Sequence, residues 1–162
     1  MTALTSHTSP KMPRDVPLAP IVSHTLPIRV RYPEADPMGY LHHSIYLQYF
    51  EMGRIELLRS LGHSYADLEA AGVFFVVTRA EVKYRAPAKF DDELTLTVNL
   101  VREGPVRLDH TYELRKGDHL LAEGHTTIAC VGRDGQARAI PDEMQSRRTS
   151  DKGRGASEDK TV

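Results

Sequence analysis

Between residues 32 and 43 the chain carries Tyr32, Glu34, Asp36, Gly39, His42 and His43, an unusual density of acid, base and hydroxyl groups. The stretch leads into residues that favour a helix. The first amides of a helix have no partner within it and sit at the positive end of its dipole. Such donors can hold a carbonyl oxygen as it becomes an oxyanion, and loss of one costs about 3 kcal/mol. The backbone N–H of His43 is the expected donor. A carboxylate on the approach to the helix can attack the carbonyl carbon, or take a proton from water that attacks it, and Asp36 holds that place. Tyr32 and His43 can orient the carboxylate, the water or the leaving group. Thioester hydrolysis suits this set, because a thiolate leaves easily and no metal is required. The bland reading stands beside it: Asp36 before Pro37 can simply start a turn, Tyr32 can be a half-buried strand aromatic, and His43 can contribute only its amide.

The elements that must position these residues follow from periodicity. Leu26, Ile28, Val30 and Tyr32 alternate with polar residues, which predicts a strand, with Pro27 at its start or on a sheet edge. Pro33 and Pro37 make the next segment an ordered loop, and Gly39 is free to take positive φ there. From Ser44 to Leu61 the apolar residues cover most of a helical circumference, so a helix of about 27 Å, buried on several sides, is expected, with Ser44 as N-cap and Gly62 ending it. Ser64 opens a short helix closed by Gly72. Extended segments follow at Val73 to Tyr84, Glu93 to Val101, Leu108 to Leu114 and Leu120 to Val131, joined by Gly-containing turns that favour antiparallel hairpins. The order is α+β, a curled sheet around one long helix.

Composition narrows the classes. With Lys plus Arg at 21 and Asp plus Glu at 22, the net charge of -1 gives no reason to expect nucleic acid. No apolar run approaches the roughly 20 residues of a membrane helix, so no membrane insertion is expected. Cys130 is the only cysteine, which favours a reducing, cytoplasmic compartment, and its strand context makes it a small buried hydrophobe. No metal is expected: His42 and His43 are adjacent rather than one helical turn apart, and there is no HExxH or Cys cluster. Glu51 is expected to pair with Arg54 on the long helix. Arg79, Lys83, Arg85 and Lys89 alternate and could line one sheet face.

The run from Val30 to Glu51, with Phe75-Val76-Val77, Tyr84 to Asp92 and Arg138-Ala139-Ile140-Pro141, resembles the signature of the 4-hydroxybenzoyl-CoA thioesterase family. It is most similar to the acyl-CoA thioesterase branch associated with the Tol-Pal system. The resemblance implies a hotdog domain over residues 26–142, between an N-terminal arm at 1–25 and a polar tail at 143–162. It implies hydrolysis of a small acyl or aroyl coenzyme A thioester. Coenzyme A would enter only as part of the substrate, without a further cofactor. It also implies homo-oligomers, dimers or tetramers, with active sites at the subunit interface. Tyr32, Asp36 and His43 fall on that branch's functional set. Gly39, His42 and the basic residues Arg79, Lys83, Arg85 and Lys89 complete the expected substrate contacts, the basic ones toward the coenzyme A phosphates. Pro37-Met38 and His42, where the branch commonly has Tyr, depart from its pattern and bear on pocket shape.

Two other functions compete. A hotdog dehydratase would need a catalytic His working with an acid from the facing subunit, and the His-Phe-Pro segment of such enzymes is absent. A non-catalytic acyl-thioester-binding or assembly module would bind acyl-CoA without releasing thiol.

Overall fold

Alternating apolar residues build an antiparallel sheet of β1 (Val22–Arg29), β2 (Phe74–Tyr84), β3 (Glu93–Glu103), β4 (Arg107–Lys116) and β5 (His119–Val131), in the order β1-β3-β4-β5-β2. The computed structural model describes residues 18–145. β3, β4 and β5 are successive hairpins, as their turn residues predict. β1 and β2 are placed instead by long-range pairing, β1 along β3 and β2 along β5.

Two helices, α1 (Ile45–Ser60) and α2 (Tyr65–Ala70), interrupt the strands between β1 and β2. Ser64 caps α2 by accepting from the Asp67 amide, and Gly62, at φ +85°, ends α1 as expected. α1 packs against β3 and β1 through Tyr46, Tyr49, Phe50, Gly53, Arg54 and Leu57. That is one stripe at helical spacing, not the expected burial on several sides: Leu47 and Leu61 stay exposed. The sheet reaches only the side of the helix that faces it. Opposite the stripe, Leu94, Leu96, Val98, Leu114 and Ala122 complete the main core.

β1 begins at Val22, inside the stretch assigned to the arm. Its outer face is a polar ladder, Ser23 to Asn99 at 2.6 Å and Thr25 to Thr97 at 3.0 Å, so a Ser- and Thr-rich segment pairs here as a strand. Pro27 sits within an edge strand, where a missing N–H is tolerated. At the other end, a short 3-10 turn at Asp142–Met144 lets Met144 pack on a second core cluster of Leu68, Val73, Cys130 and Ile140, so ordered chain continues past 142. The remainder of both predicted tails lies outside the described residues. Cys130 is fully buried, and burial pushes its thiol pKa up.

The expected Glu51–Arg54 pair does not form. Arg54 turns inward, 8% exposed, and donates from Nη1 to Tyr112 Oη at 3.0 Å, while Glu51 stays on the exposed side. Tyr112 Oη lies 2.7 Å from Thr126 Oγ1. The apolar spacing of α1 would put a hydrophobe at position 54. A guanidinium reaches a buried hydroxyl instead.

His110 on β4 is 4% exposed, and burial, reinforced by Arg54 and then His125, holds its pKa down at about 3 against the ordinary 6.5. A histidine with a depressed folded pKa stabilises fully above 6.5, and that stability is lost as pH falls from 6.5 toward about 3, because the unfolded chain takes the proton first. Between pH 7 and pH 5 the loss from this group is expected to be about 2 kcal/mol. Urea unfolding at both pH values checks it: His110→Gln should lose that much less on acidification than the unsubstituted chain. Equal losses would rule out His110 as the source.

Candidate active site

The approach to α1 is built around a buried carboxylate. Arg31 is extended, and Glu34 three residues on folds back to accept from the Arg31 amide at 2.7 Å and from its Nε at 2.8 Å. Glu34 is 3% exposed and also accepts from Tyr49 Oη of α1 at 2.6 Å, which ties the loop to the helix. Burial alone would raise the Glu34 pKa, but the hydrogen bonds from Arg31 and Tyr49 outweigh it, and the carboxyl lies below its ordinary range. Tyr49 is pushed up by its burial and by its bond to that carboxylate. The sequence places Glu34 in the cluster and assigns it no role. The Arg31-x-x-Glu34 spacing was the available signal, but its buried partner Tyr49 is distant in sequence.

From this anchor the chain makes a tight hairpin. Ala35 pairs with Leu41, the Asp36 amide donates to Tyr40 O at 2.8 Å, and the Gly39 amide donates to Asp36 O at 2.9 Å. Pro37 suits the second position of the turn, and Gly39 takes φ +80°, which an L side chain rarely adopts. Asp36 Oδ1 accepts from the amides of Met38 at 2.9 Å and Tyr40 at 3.1 Å. This is the turn-forming role of an aspartate before proline, and it occupies one oxygen. Oδ2 has no protein partner among the described residues.

The hairpin leads directly to the tip of α1. The His42 amide donates to Glu34 O and the Ile45 amide to His42 O, each at 2.9 Å, while the His43 amide between them has no partner among the described residues. Ser44 stands at the N-cap position, yet its hydroxyl lies 2.8 Å from His42 Nδ1 and caps no helix amide. The rings of His42 and His43 stack, centroids 4.1 Å apart. Tyr84, at the end of β2, donates from Oη to His43 O at 2.9 Å and packs edge-on against Tyr46. These residues with Leu41, Arg85, Ala86 and Pro87 line a cleft of about 280 Å³ at the helix tip. The sequence places Tyr84 at a strand end and in the segment that resembles the family signature, without a role at the helix tip. Its contact depends on β2 ending beside α1, 41 residues from His43.

The other expected residues are placed less uniformly. Tyr32 is not at a strand end: β1 stops at Arg29, and Tyr32 opens a 3-10 turn closed by Glu34. Its ring is 78% exposed and packs edge-on against Phe90 at 5.4 Å. Tyr32, Asp36 and His43 make no hydrogen bond with one another within the protomer. Three of the four basic residues, Arg79, Lys83 and Arg85, turn to the same outer face of the sheet, and Lys89 does not. Arg79 pairs with Glu81, and Lys83 lines a groove on the outer sheet face with Glu81, Glu123 and His125. Arg85 borders the helix-tip cleft while bonded to Glu123 at 2.7 Å, and Lys89 pairs with Tyr40 through the backbone, its Nζ 5.7 Å from that ring. The strand ends at Tyr84, so strict alternation does not carry as far as Lys89. Among the described residues no group of three or more His, Cys, Asp or Glu is placed to hold a metal, and no helix is long and apolar enough to cross a membrane.

What this architecture is similar to bears on its chemistry. The family model of the thioesterase-like superfamily matches residues 30–147. Acyl-CoA thioester hydrolase YbgC of Escherichia coli O157:H7 is 33% identical over 106 residues, 65% of this chain and 79% of that protein. Acyl-CoA thioesterase YbgC of Haemophilus influenzae is 30% identical over 108 residues, 66% and 79% of the two chains. The crystal structure of DHNA-CoA thioesterase from Staphylococcus aureus superposes with a TM-score of 0.74 at 25% identity, covering 80% of this chain and 91% of that one. The five-stranded curled sheet with its packed helix is thus the hotdog fold, and the chain belongs to the thioesterase-like superfamily.

Proposed function

We propose that this protein hydrolyses a small acyl or aroyl coenzyme A thioester to the free acid and coenzyme A. One observation carries the reading: an unpartnered amide at His43, at the tip of α1, stands at the end of the hairpin that presents Asp36 with one carboxylate oxygen uncommitted. The thioester oxygen would accept from the His43 amide, which stabilises it as negative charge develops. Asp36 would take the proton of an attacking water, or add to the carbonyl carbon itself; either route breaks the C–S bond and expels the thiolate, and on the second a water then cleaves the acyl–Asp36 anhydride to free the acid and restore the carboxylate. His43 and Tyr32 would orient the water and the leaving group, and Tyr84 would steady the helix tip. Gly39 and His42 shape the acyl side of the site. Arg85, which lines the cleft, is the basic residue best placed for the coenzyme A phosphates, with Lys89 over the Tyr40 ring and Arg79 and Lys83 farther along the sheet. The YbgC relatives support an acyl-CoA substrate, and the Staphylococcus neighbour supports an aromatic acyl group.

The working unit would be a homo-oligomer, built as a dimer or a homotetramer of such dimers. β2 presents a free edge with Val76 and Val77 exposed at 43% and 52%, and Tyr32, Met38 and Phe90 stand uncovered around the Asp36 hairpin. An unprotected edge and an apolar patch of this kind call for a cover, which a second copy would supply while completing the site. A monomer in analytical ultracentrifugation would remove this part of the proposal. The single buried Cys130 supports a reducing, cytoplasmic setting.

Thiol release measured over short, long and aromatic acyl-CoAs tests the activity. Turnover is expected on at least one class, with free acid and coenzyme A in equal amounts. Tight binding without thiol release across the panel would identify a binding module instead, and an enoyl product without free thiol would identify a dehydratase.

A further inference from the structure

A second site with buried polar groups lies along α1, away from the helix tip. Arg54 is nine residues beyond the start of α1, about 14 Å along its axis. Together with Tyr65 of α2 and His110 of β4 it borders a cavity of about 50 Å³. The remaining wall is apolar, with Leu57 and Phe75 on one side and Ile140 and Met144 folded across from the C-terminal turn.

Arg54 is satisfied only in part. Nη1 reaches Tyr112, but Nε is buried without a partner, and Arg54 makes no ion pair with a carboxylate among the described residues. His110 Nδ1, also buried, has no partner either. A guanidinium stays charged under all ordinary conditions. Withdrawing such a charge from water costs several kcal/mol unless a counter-charge or a full set of hydrogen bonds offsets it. Here both orphan nitrogens belong to residues that line one small space.

We propose that this cavity binds a small monoanion, a halide or a carboxylate of acetate size, held by Arg54 Nε with His110 Nδ1 as its second polar contact. The space suits a small ion: a water needs about 10–15 Å³ of it, so it holds only a few heavy atoms. The anion would neutralise Arg54, fix its bond to Tyr112 and thereby tie α1 to the sheet. It would therefore bind the folded chain and not the unfolded one.

Thermal unfolding of the full chain at pH 7.5 and constant ionic strength tests this, with sodium gluconate, too large for the cavity, exchanged stepwise for acetate or bromide. A saturable rise in Tm is expected, about 3–6 °C at ten times the dissociation constant. Arg54→Met should abolish the rise. A wild-type Tm that does not respond, or a response that Arg54→Met retains, overturns the proposal. Because Arg54→Met could fail to fold, anomalous diffraction from bromide-soaked crystals of the unsubstituted protein gives an independent answer. A bromide peak in contact with Arg54 Nε supports the site, and water alone in the cavity rejects it.

Discussion

Asp36→Asn is expected to lower the rate of thiol release about 1,000-fold or more while leaving the fold, the oligomer and KM nearly unchanged. The structural part of this expectation comes from the hairpin. Asp36 Oδ1 accepts the Met38 and Tyr40 amides, and an asparagine Oδ1 can accept both in the same way. The turn should therefore survive the substitution. What changes is the other oxygen, Oδ2, which becomes an amide nitrogen that can neither take a proton nor attack a carbonyl carbon. The loss should thus fall on kcat, since the group would act on the transition state and hardly on substrate binding. Circular dichroism and sedimentation of the variant check the fold, and initial rates on the best substrate check the chemistry. A variant that keeps a tenth or more of the rate would confine Asp36 to the turn.

Gly124→Ala should produce the largest loss of stability, about 3 kcal/mol, seen as a fall in Tm of about 6–12 °C. Gly124 lies on β5 between Val82 of β2 and Tyr112 of β4. A Cβ there would meet the Phe50 ring, 2.6 Å from Cζ and closer still to Cε2. Phe50 has no exposed surface and stacks on Tyr112 with centroids 4.2 Å apart, so the ring has nowhere to retreat. Displacing it would also disturb the Tyr112 hydroxyl that Arg54 holds. The companion Phe50→Leu substitution provides the control: in the double variant the clash is relieved, so the combined cost should be well below the sum of the two single costs. Urea unfolding of the four proteins measures this. A Gly124→Ala variant within 0.5 kcal/mol of the parent would mean that β5 can shift to admit the methyl group.

Local patterns were legible along most of the chain because each element records its own exposure in its periodicity. Alternation located β3, β4 and β5 to within a few residues, the glycines and prolines marked their hairpins, and the apolar run with Gly62 marked α1. The Asp36 loop, the amide at His43 and the family were legible for the same reason: turn chemistry, a helix start and a spaced motif are all local in sequence.

What those patterns could not contain was decided by the tertiary structure. β1 pairs with β3 across two helices and a strand, and β2 pairs with β5 at the opposite edge, since partners so distant in sequence meet only in the folded chain. The Ser and Thr of β1 looked like an arm until Asn99 and Thr97 stood opposite them. Arg54 looked like a surface ion-pair partner, but the hydroxyl that draws it inward comes from a strand 58 residues away. Tyr84 beside His43 and Tyr49 beside Glu34 are pairings of the same kind. A residue's own type and its near neighbours set which local conformations are cheap. Whether a polar group is satisfied, paired or left facing a cavity depends on atoms that only folding brings within 3 Å or so.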